Sequence, residues 1–282
     1  KEAVTAITSS HHSWGLCGYK ISLFKRFFSM LGYTRIMDNP DSWEGFHWGT
    51  PHTYGYYWRL GGPEPFDMLH DAMKNTETMI MWSHDPDTTW GGYSAQESAL
   101  WRWWMKEAGV QFIYIDPFNN FSSVKQADKW IAPRMGTDAA LCEAIAYVWI
   151  TEGTYDKDYI ATHSYGFDKF ADYVLGREDG VPKTPRWASE KCGVKPWTIR
   201  KTTSILHGNG GCYIRGPYAT EPARLEVMLL GMQGLGRPGV HQAKMIEWNM
   251  WARDFPVPYQ GDFAPKVPQI CDCLRAVDGD LP

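Results

Sequence analysis

Three carboxylates stand where a sheet-built protein could present them to a ligand. Asp85 lies in Ser83-His-Asp-Pro86, directly after the apolar run Met79-Ile-Met-Trp82. Asp116, followed by Pro117, closes the apolar run Gln111-Phe-Ile-Tyr-Ile115, and Asp138 follows Gly136-Thr137 after Trp130-Ile-Ala-Pro133. An ionised carboxylate only accepts hydrogen bonds, so it suits the ring N–H and amino group that a guanine edge offers side by side. Each Asp is also an ordinary turn or cap residue; Asp138 as an N-cap would contribute about 1 kcal/mol. Their recurrence at successive strand ends is what points to a ligand.

A second group lies nearer the start. Ser9-Ser10-His11-His12-Ser13-Trp14-Gly15 follows the short β-leaning stretch 3–8, and Asp38-Asn-Pro-Asp-Ser-Trp-Glu-Gly45 follows another at 33–37. A histidine and a carboxylate that meet at one edge can move protons. Solvated turns account for the same residues equally simply.

The elements that must position these groups read as alternating strands and helices. Between the two short strands, Ile21, Phe24, Phe27, Phe28 and Leu31 recur at helical spacing and Gly32 is a stop signal. A strand–helix–strand unit is parallel, which places both following loops on one edge. Helices are expected over 63–74, from the capping box Ser94-Ala-Gln-Glu97 to Gly109, and from 138 to about 152. The second of these would bury Leu100, Trp101, Trp104 and Ala108. One amphipathic helix is expected over 159–175, shorter ones over 187–192 and 196–206, and a last one after Thr220. The fourth strand is placed at Gly211-Cys-Tyr-Ile-Arg-Gly-Pro-Tyr218, which puts Arg215, Gly216 and Tyr218 at its end. The fold class is therefore α/β: a Rossmann-like open parallel sheet with flanking helices over 66–245 and part of a second α/β domain over 1–65, with 246–282 an extended return segment. Such sheets bind ligands at the carboxyl ends of their strands.

Composition narrows the function. A net charge of −4 argues against a nucleic-acid coat or a basic membrane patch. No apolar run approaches the roughly 20 residues that span a bilayer. The six cysteines include no Cys-x-x-Cys pair, so they read as core residues of a reducing compartment, not as zinc or cluster ligands. The 15 tryptophans fit either bulky core packing or an aromatic-lined pocket. No Gly-x-Gly-x-x-Gly follows a strand, and neither a P-loop nor a Gly-x-Ser-x-Gly elbow is present.

Trp82-Ser-His-Asp-Pro86, Ile115-Asp-Pro117, Ala132-Pro-Arg-Met-Gly-Thr-Asp138 and Gly216-Pro-Tyr218 together resemble the large subunit of molybdopterin-dependent oxidoreductases of the dimethyl sulfoxide reductase family. The resemblance covers nearly the whole chain. It implies that Trp82, Ser83, His84, Asp85, Asp116, Pro117, Gly136, Asp138, Arg215, Gly216 and Tyr218 contact a molybdopterin guanine dinucleotide, one of a pair (bis-molybdopterin guanine dinucleotide) around molybdenum or tungsten. Asp41-Ser42 stands where the family's reductases have a Ser whose oxygen ligates the metal, and Pro51-His52 follows as their Pro-His does, so Ser42 is the implied metal ligand. A hard alkoxide suits a high-valent metal.

Two departures separate this chain from the reductases. The family's Tyr beside that Ser is Asp41, and its Tyr-Gly-Trp-Lys loop is replaced by Ser10-His-His-Ser-Trp14. Both resemble the transhydroxylase branch of the family, which moves hydroxyl groups between polyhydroxylated benzenes without net oxidation. That branch implies His11 and Asp41 as handlers of substrate protons, Trp43 as a wall of the pocket for a small aromatic substrate, and a small iron–sulfur subunit as partner in a heterodimer. It also implies a cytoplasmic, anaerobic enzyme. The alternatives are oxygen-atom transfer from an S-oxide or N-oxide, and a non-enzymatic nucleotide-binding module. Family chains are much longer than 282 residues, so the second dinucleotide would rest on residues beyond this stretch.

Overall fold

A computed structural model describes residues 5–6, 27–28, 30–32, 34–35, 49, 52–53, 68–83, 85, 87, 95–200, 207–208 and 217–240. The chain divides into two compact units, Lys1–Glu44 with Glu247–Pro282, and Gly45–Ile246.

In the first unit, β1 (Thr5–Ala6) pairs in parallel with β2 (Thr34–Arg35), Thr5 opposite Thr34. Residues 27, 28, 30 and 31 between them are helical, and Gly32 stops that helix at φ 74°. The expected strand–helix–strand unit is thus observed. Parallel pairing puts the carboxyl ends of both strands on one edge. His11, Asp41, Ser42 and Trp43, expected in the loops that follow, lie outside the described residues.

The second unit is built on a four-stranded parallel sheet. In chain order its elements are α1 (Met68–Asn75), β3 (Thr78–Trp82), α2 (Ala95–Glu107), β4 (Gln111–Ile115), α3 (Phe121–Gln126) and β5 (Lys129–Ile131). Then follow α4 (Asp138–Glu152), α5 (Lys157–His163), α6 (Phe167–Val174), α7 (Pro185–Cys192), α8 (Pro196–Arg200), β6 (His207–Gly208) and α9 (Pro217–Met232). The strand order is β5-β4-β3-β6, with Ile80 opposite Ile113 and His207, and Ile115 opposite Ile131.

The period-2 geometry of strands divides the core in two. Ile80, Trp82, Ile115 and Ile131 face α4, α7 and α9, meeting Leu141, Ile145, Trp149, Ala188, Leu225 and Leu229. Met79, Met81, Phe112 and Tyr114 face the other way, onto Ala72 of α1 and Met105 of α2. Both faces are covered, which is why β3 and β4 are near-continuous apolar runs rather than alternating ones. Cys142 and Cys192 are fully buried in the first cluster and not in a disulfide, as their reading as core residues requires. The chain returns from α9 to the amino end of β3 at Gly239 (φ 77°), whose N–H donates to Asp71 Oδ2; a Cβ there would stand 2.5 Å from the Asn75 carbonyl oxygen.

Three expectations are corrected. The single helix over 159–175 is two, because Gly166 takes φ 79° and Ser164 ends α5 with its hydroxyl on the Ile160 carbonyl. The fourth strand does not run to Tyr218: Pro217, pre-set in φ and lacking an N–H, opens α9, so Tyr218 and Thr220 are helical, and the strand beside β3 is His207–Gly208. Of the helix expected over 196–206, Pro196–Arg200 is helical as α8, and residues 201–206 lie outside the described residues. On α2 the apolar stripe is displaced, since Leu100 is 51% and Trp104 44% exposed while Arg102 and Met105 are buried.

Candidate functional site

The chain steps outward from β3 to β4 to β5 and then returns to β6 on the other side of β3. The strand order therefore reverses at β3, and the crevice beyond its carboxyl end is where open α/β sheets place ligands.

Ser83 is the first residue past β3. Its N–H still donates to Ile115 O at 2.8 Å, but its φ is 47°, the one non-glycine left-handed residue among those described. Such a conformation costs of order 1–3 kcal/mol unless its surroundings hold it. The loop beyond is held. Asp85 Oδ1 accepts from the Ser122 hydroxyl at 2.6 Å and from the Ser122 N–H at 3.2 Å, while the Asp87 N–H donates to Ser122 Oγ at 3.1 Å. Asp85 thereby ties the loop after β3 to the start of α3. Its carboxylate is engaged within the protein.

Asp116 ends β4. Its Oδ1 accepts from the Phe118 N–H at 2.8 Å and its Oδ2 from Asn120 Nδ2 at 3.3 Å, and its carbonyl accepts from the Trp130 indole at 2.8 Å. A carboxylate has roughly four acceptor positions, so two are filled and capacity remains. The side chain is half-buried. Burial raises its pKa above the usual carboxylate value; the Phe118 and Asn120 donors oppose the rise, and the charges of Asp85 and Asp138 add to it. Beside it Pro117 is exposed, as are Phe118 (70%) and, after β5, Met135 (74%).

Asp138 is the first residue of α4 and not its N-cap, a correction to the sequence reading. Thr137 occupies the cap with φ −115° and ψ 15°, and its hydroxyl bonds back to the Arg134 carbonyl, not to the helix. Gly136 (φ 75°) supplies the left-handed turn before it, and a Cβ there would meet no atom within 4 Å. The first-turn amides of α4 consequently have no side-chain cap, the arrangement that favours an anion. Asp138 Oδ1 instead accepts from the Trp82 indole at 2.8 Å. The charge of Asp138 also acts on Glu226 of α9, which is fully buried and whose pKa is pushed well up, chiefly by burial.

The structure thus brings Trp82, Ser83, Asp85, Asp116, Pro117, Gly136 and Asp138 to one sheet edge. Tyr218 lies in the first turn of α9. His84, Arg215 and Gly216 lie outside the described residues. Sequence reasoning missed Ser122, Glu226 and Arg102, all buried polar residues on helices, which carry no turn or strand-end signal. Arg134, within the Ala132–Asp138 motif, is spent on the end of α7, donating to the Glu190 and Lys191 carbonyls at 3.1 and 3.2 Å. Away from this edge, His52, Thr53, Tyr159, His163, Phe167 and Met228 line a cavity of about 520 Å³.

The edge combines a half-buried carboxylate with open acceptor positions, exposed apolar side chains beside it, and an uncapped helix start. That donor set fits a purine nucleotide with its phosphates, and the fold is of the α/β class that binds such ligands. The family model for molybdopterin oxidoreductases matches residues 30–249, and the chain belongs to that family. It is 43% identical over 272 residues to the pyrogallol hydroxytransferase large subunit of Pelobacter acidigallici, covering 93% of this chain and 30% of that protein. It is 35% identical over 142 residues to the dimethyl sulfoxide/trimethylamine N-oxide reductase of Rhodobacter capsulatus, covering 47% of this chain and 16% of that one. Acetylene hydratase from Pelobacter acetylenicus superposes with a TM-score of 0.49 at 16% identity, over 84% of this chain and 30% of that one. The chain spans less than a third of the length of the curated relatives named here.

Proposed function

We propose that this chain is the part of a molybdenum or tungsten enzyme that holds one molybdopterin guanine dinucleotide and the metal-ligating loop. The whole enzyme transfers hydroxyl groups between polyhydroxylated benzenes, of the pyrogallol-to-phloroglucinol type. The observation that carries this reading is the extent of the likeness to the hydroxytransferase, 93% of the chain against 47% for the Rhodobacter reductase. The dinucleotide-binding segment is 66–245. Asp116 would take the guanine edge, and the Ser83–Asp85 loop, Gly136 and the start of α4 would line the nucleotide. Ser42 would ligate the metal, and the bound metal with its pterins would supply the redox chemistry.

The protein's own part is proton handling and positioning. A phenol of pKa near 10 resists ionisation at pH 7 by about 3 units, roughly 4 kcal/mol. A base held on the substrate hydroxyl accepts the proton as negative charge develops on the oxygen, so free phenolate need not form first. Asp41 takes the proton from one hydroxyl and His11 takes or returns it at another, while Trp43 holds the flat ring by stacking. The name of the Pelobacter relative, a large subunit, supports a partner, which we take to be a small iron–sulfur subunit. Among the described residues no helix is long and apolar enough to cross a membrane. The likeness to the hydroxytransferase leads us to place the enzyme in the cytoplasm.

The reductase relatives support a second reading, oxygen-atom transfer from an S-oxide or N-oxide. The first test is elemental analysis with nucleotide release on the intact native protein. Molybdenum or tungsten with about two GMP per chain is expected. Anaerobic assays with a trihydroxybenzene, against reduction of an S-oxide by an artificial donor, then decide between the two activities. Neither metal nor GMP in anaerobic preparations would leave only a nucleotide-binding module.

A further inference from the structure

We propose that Arg102, in the middle of α2, is the positioning residue that sets the loop after β3 in its cofactor-binding geometry, acting through Asp87, Ser122 and Asp85. This rests on the cofactor reading above and names the device on which one side of that site depends.

Arg102 is 3% exposed, although it stands on a helix whose neighbouring Trp103 and Trp104 face outward. Its guanidinium forks. Nε donates to Gln126 Oε1 at 2.9 Å, and Nη2 donates to Asp87 Oδ1 at 3.3 Å. Gln126 Oε1 also accepts from Tyr114 OH at 3.3 Å, and both of those residues are fully buried. One branch therefore fixes Arg102 to the end of α3 and the middle of β4. The other reaches the loop itself.

From Asp87 the chain of bonds continues. The Asp87 N–H donates to Ser122 Oγ, and that hydroxyl donates onward to Asp85 Oδ1. These two steps measure 3.1 and 2.6 Å, and Ser122 is fully buried. The loop that begins with strained Ser83 is thus anchored from beneath at Asp85 and Asp87, and the buried guanidinium is the end of that anchor. Asp87 Oδ2 accepts no hydrogen bond among the described residues, and the second cation near it, Lys125, is 53% exposed and 3.9 Å away. Arg102 is accordingly the buried charge that holds Asp87. Removing one partner of such a pair strands the other in a low-dielectric site. A lysine cannot replace the fork, because an ammonium is a point charge and cannot hold two directions at fixed angles.

The test compares cofactor content with stability in the intact native enzyme. Arg102→Met, Arg102→Lys and Asp87→Asn are prepared beside Met105→Ala, which opens a cavity in the adjacent core without touching the anchor. GMP released per chain is measured with Tm for each. We expect Arg102→Met and Asp87→Asn to release at least twofold less GMP than wild type, Arg102→Lys to fall between, and Met105→Ala to keep wild-type GMP despite a lowered Tm. Wild-type GMP in Arg102→Met and Asp87→Asn would overturn the proposal, as would an equal loss of GMP in Met105→Ala at a matching Tm. If Arg102→Met gives no soluble protein, Arg102→Lys and Asp87→Asn decide alone, and wild-type GMP in both overturns it. A wild-type enzyme without GMP would overturn the cofactor reading, a result separate from GMP-bearing wild type with unaffected variants.

Discussion

The indole N–H of Trp82 donates to Asp138 Oδ1 at 2.8 Å, joining the last residue of β3 to the first residue of α4. Both groups sit at the crevice where the strand order reverses, and Trp82 is 2% exposed. Trp82→Phe keeps the ring in the core and removes only the donor. The Asp138 carboxylate then loses the indole donor. Loss of one hydrogen bond to a charged group costs about 1.5–3 kcal/mol. A lower urea midpoint for Trp82→Phe, largely restored by adding Asp138→Asn, is the expected result; equal midpoints for Trp82→Phe and wild type would count against the bond.

Glu226 makes stability depend on pH in a direction set by its environment. Burial, then Asp138, raises its folded pKa well above the ordinary glutamate value. Above the unfolded pKa of about 4.3 the unfolded chain has lost this proton while the folded chain still holds it. The folded state then binds more protons, so this group lowers stability as pH rises from about 4.3 until the folded pKa is passed, with a limiting slope of about 1.4 kcal/mol per pH unit. Glu226→Gln keeps the shape and removes the titration. Its denaturant midpoint should match wild type near pH 4 and exceed it at neutral pH. Parallel pH profiles for the two proteins would refute a protonated Glu226.

What the sequence made legible follows from how each element is buried. β3 and β4 are covered on both faces, so they stand out as apolar runs, and Asp85 and Asp116 are found by where those runs stop. The helices gave less. On α2 the stripe through Leu100 and Trp104 marks the outward face, because the inward face holds Met105 together with an arginine whose partners come from other elements. A buried Arg–Asp–Ser–Asp chain has no local period and no fixed spacing, so only the folded chain exposes it. Asp138 illustrates a subtler loss. Its place before a helix suggests a cap, but the cap position is taken by Thr137, after the left-handed turn at Gly136. Ser42 carries no burial or period signal at all and is reached through resemblance alone.

Asp116 is a carboxylate on this edge with room for an external donor pair, beside exposed Pro117 and Phe118. Asp116→Asn replaces an acceptor with a donor on one side, so a guanine amino or ring N–H would face an N–H. Sites built to pair with such groups lose about 1–3 kcal/mol when one partner is mismatched, a five- to more than hundredfold weakening. The amide oxygen that remains can still accept from the Phe118 N–H, so the turn after β4 should survive the loss of the Asn120 bond. The expected result is a folded protein with GMP content well below wild type. Full GMP content in Asp116→Asn would assign the guanine to another residue.

The proton-handling roles of His11 and Asp41 separate from cofactor binding in a direct way. Neither residue belongs to the 66–245 segment proposed to hold the dinucleotide, so Asp41→Asn and His11→Ala should keep molybdenum or tungsten and GMP at wild-type amounts. Turnover of a trihydroxybenzene should fall by about 10²–10⁴-fold, the range that positioned acid–base groups contribute. A variant that keeps its cofactor and its full rate would remove that residue from the mechanism. If S-oxide reduction, and no phenol turnover, were found in the wild type, both roles would fall together and the oxygen-atom-transfer reading would stand in their place.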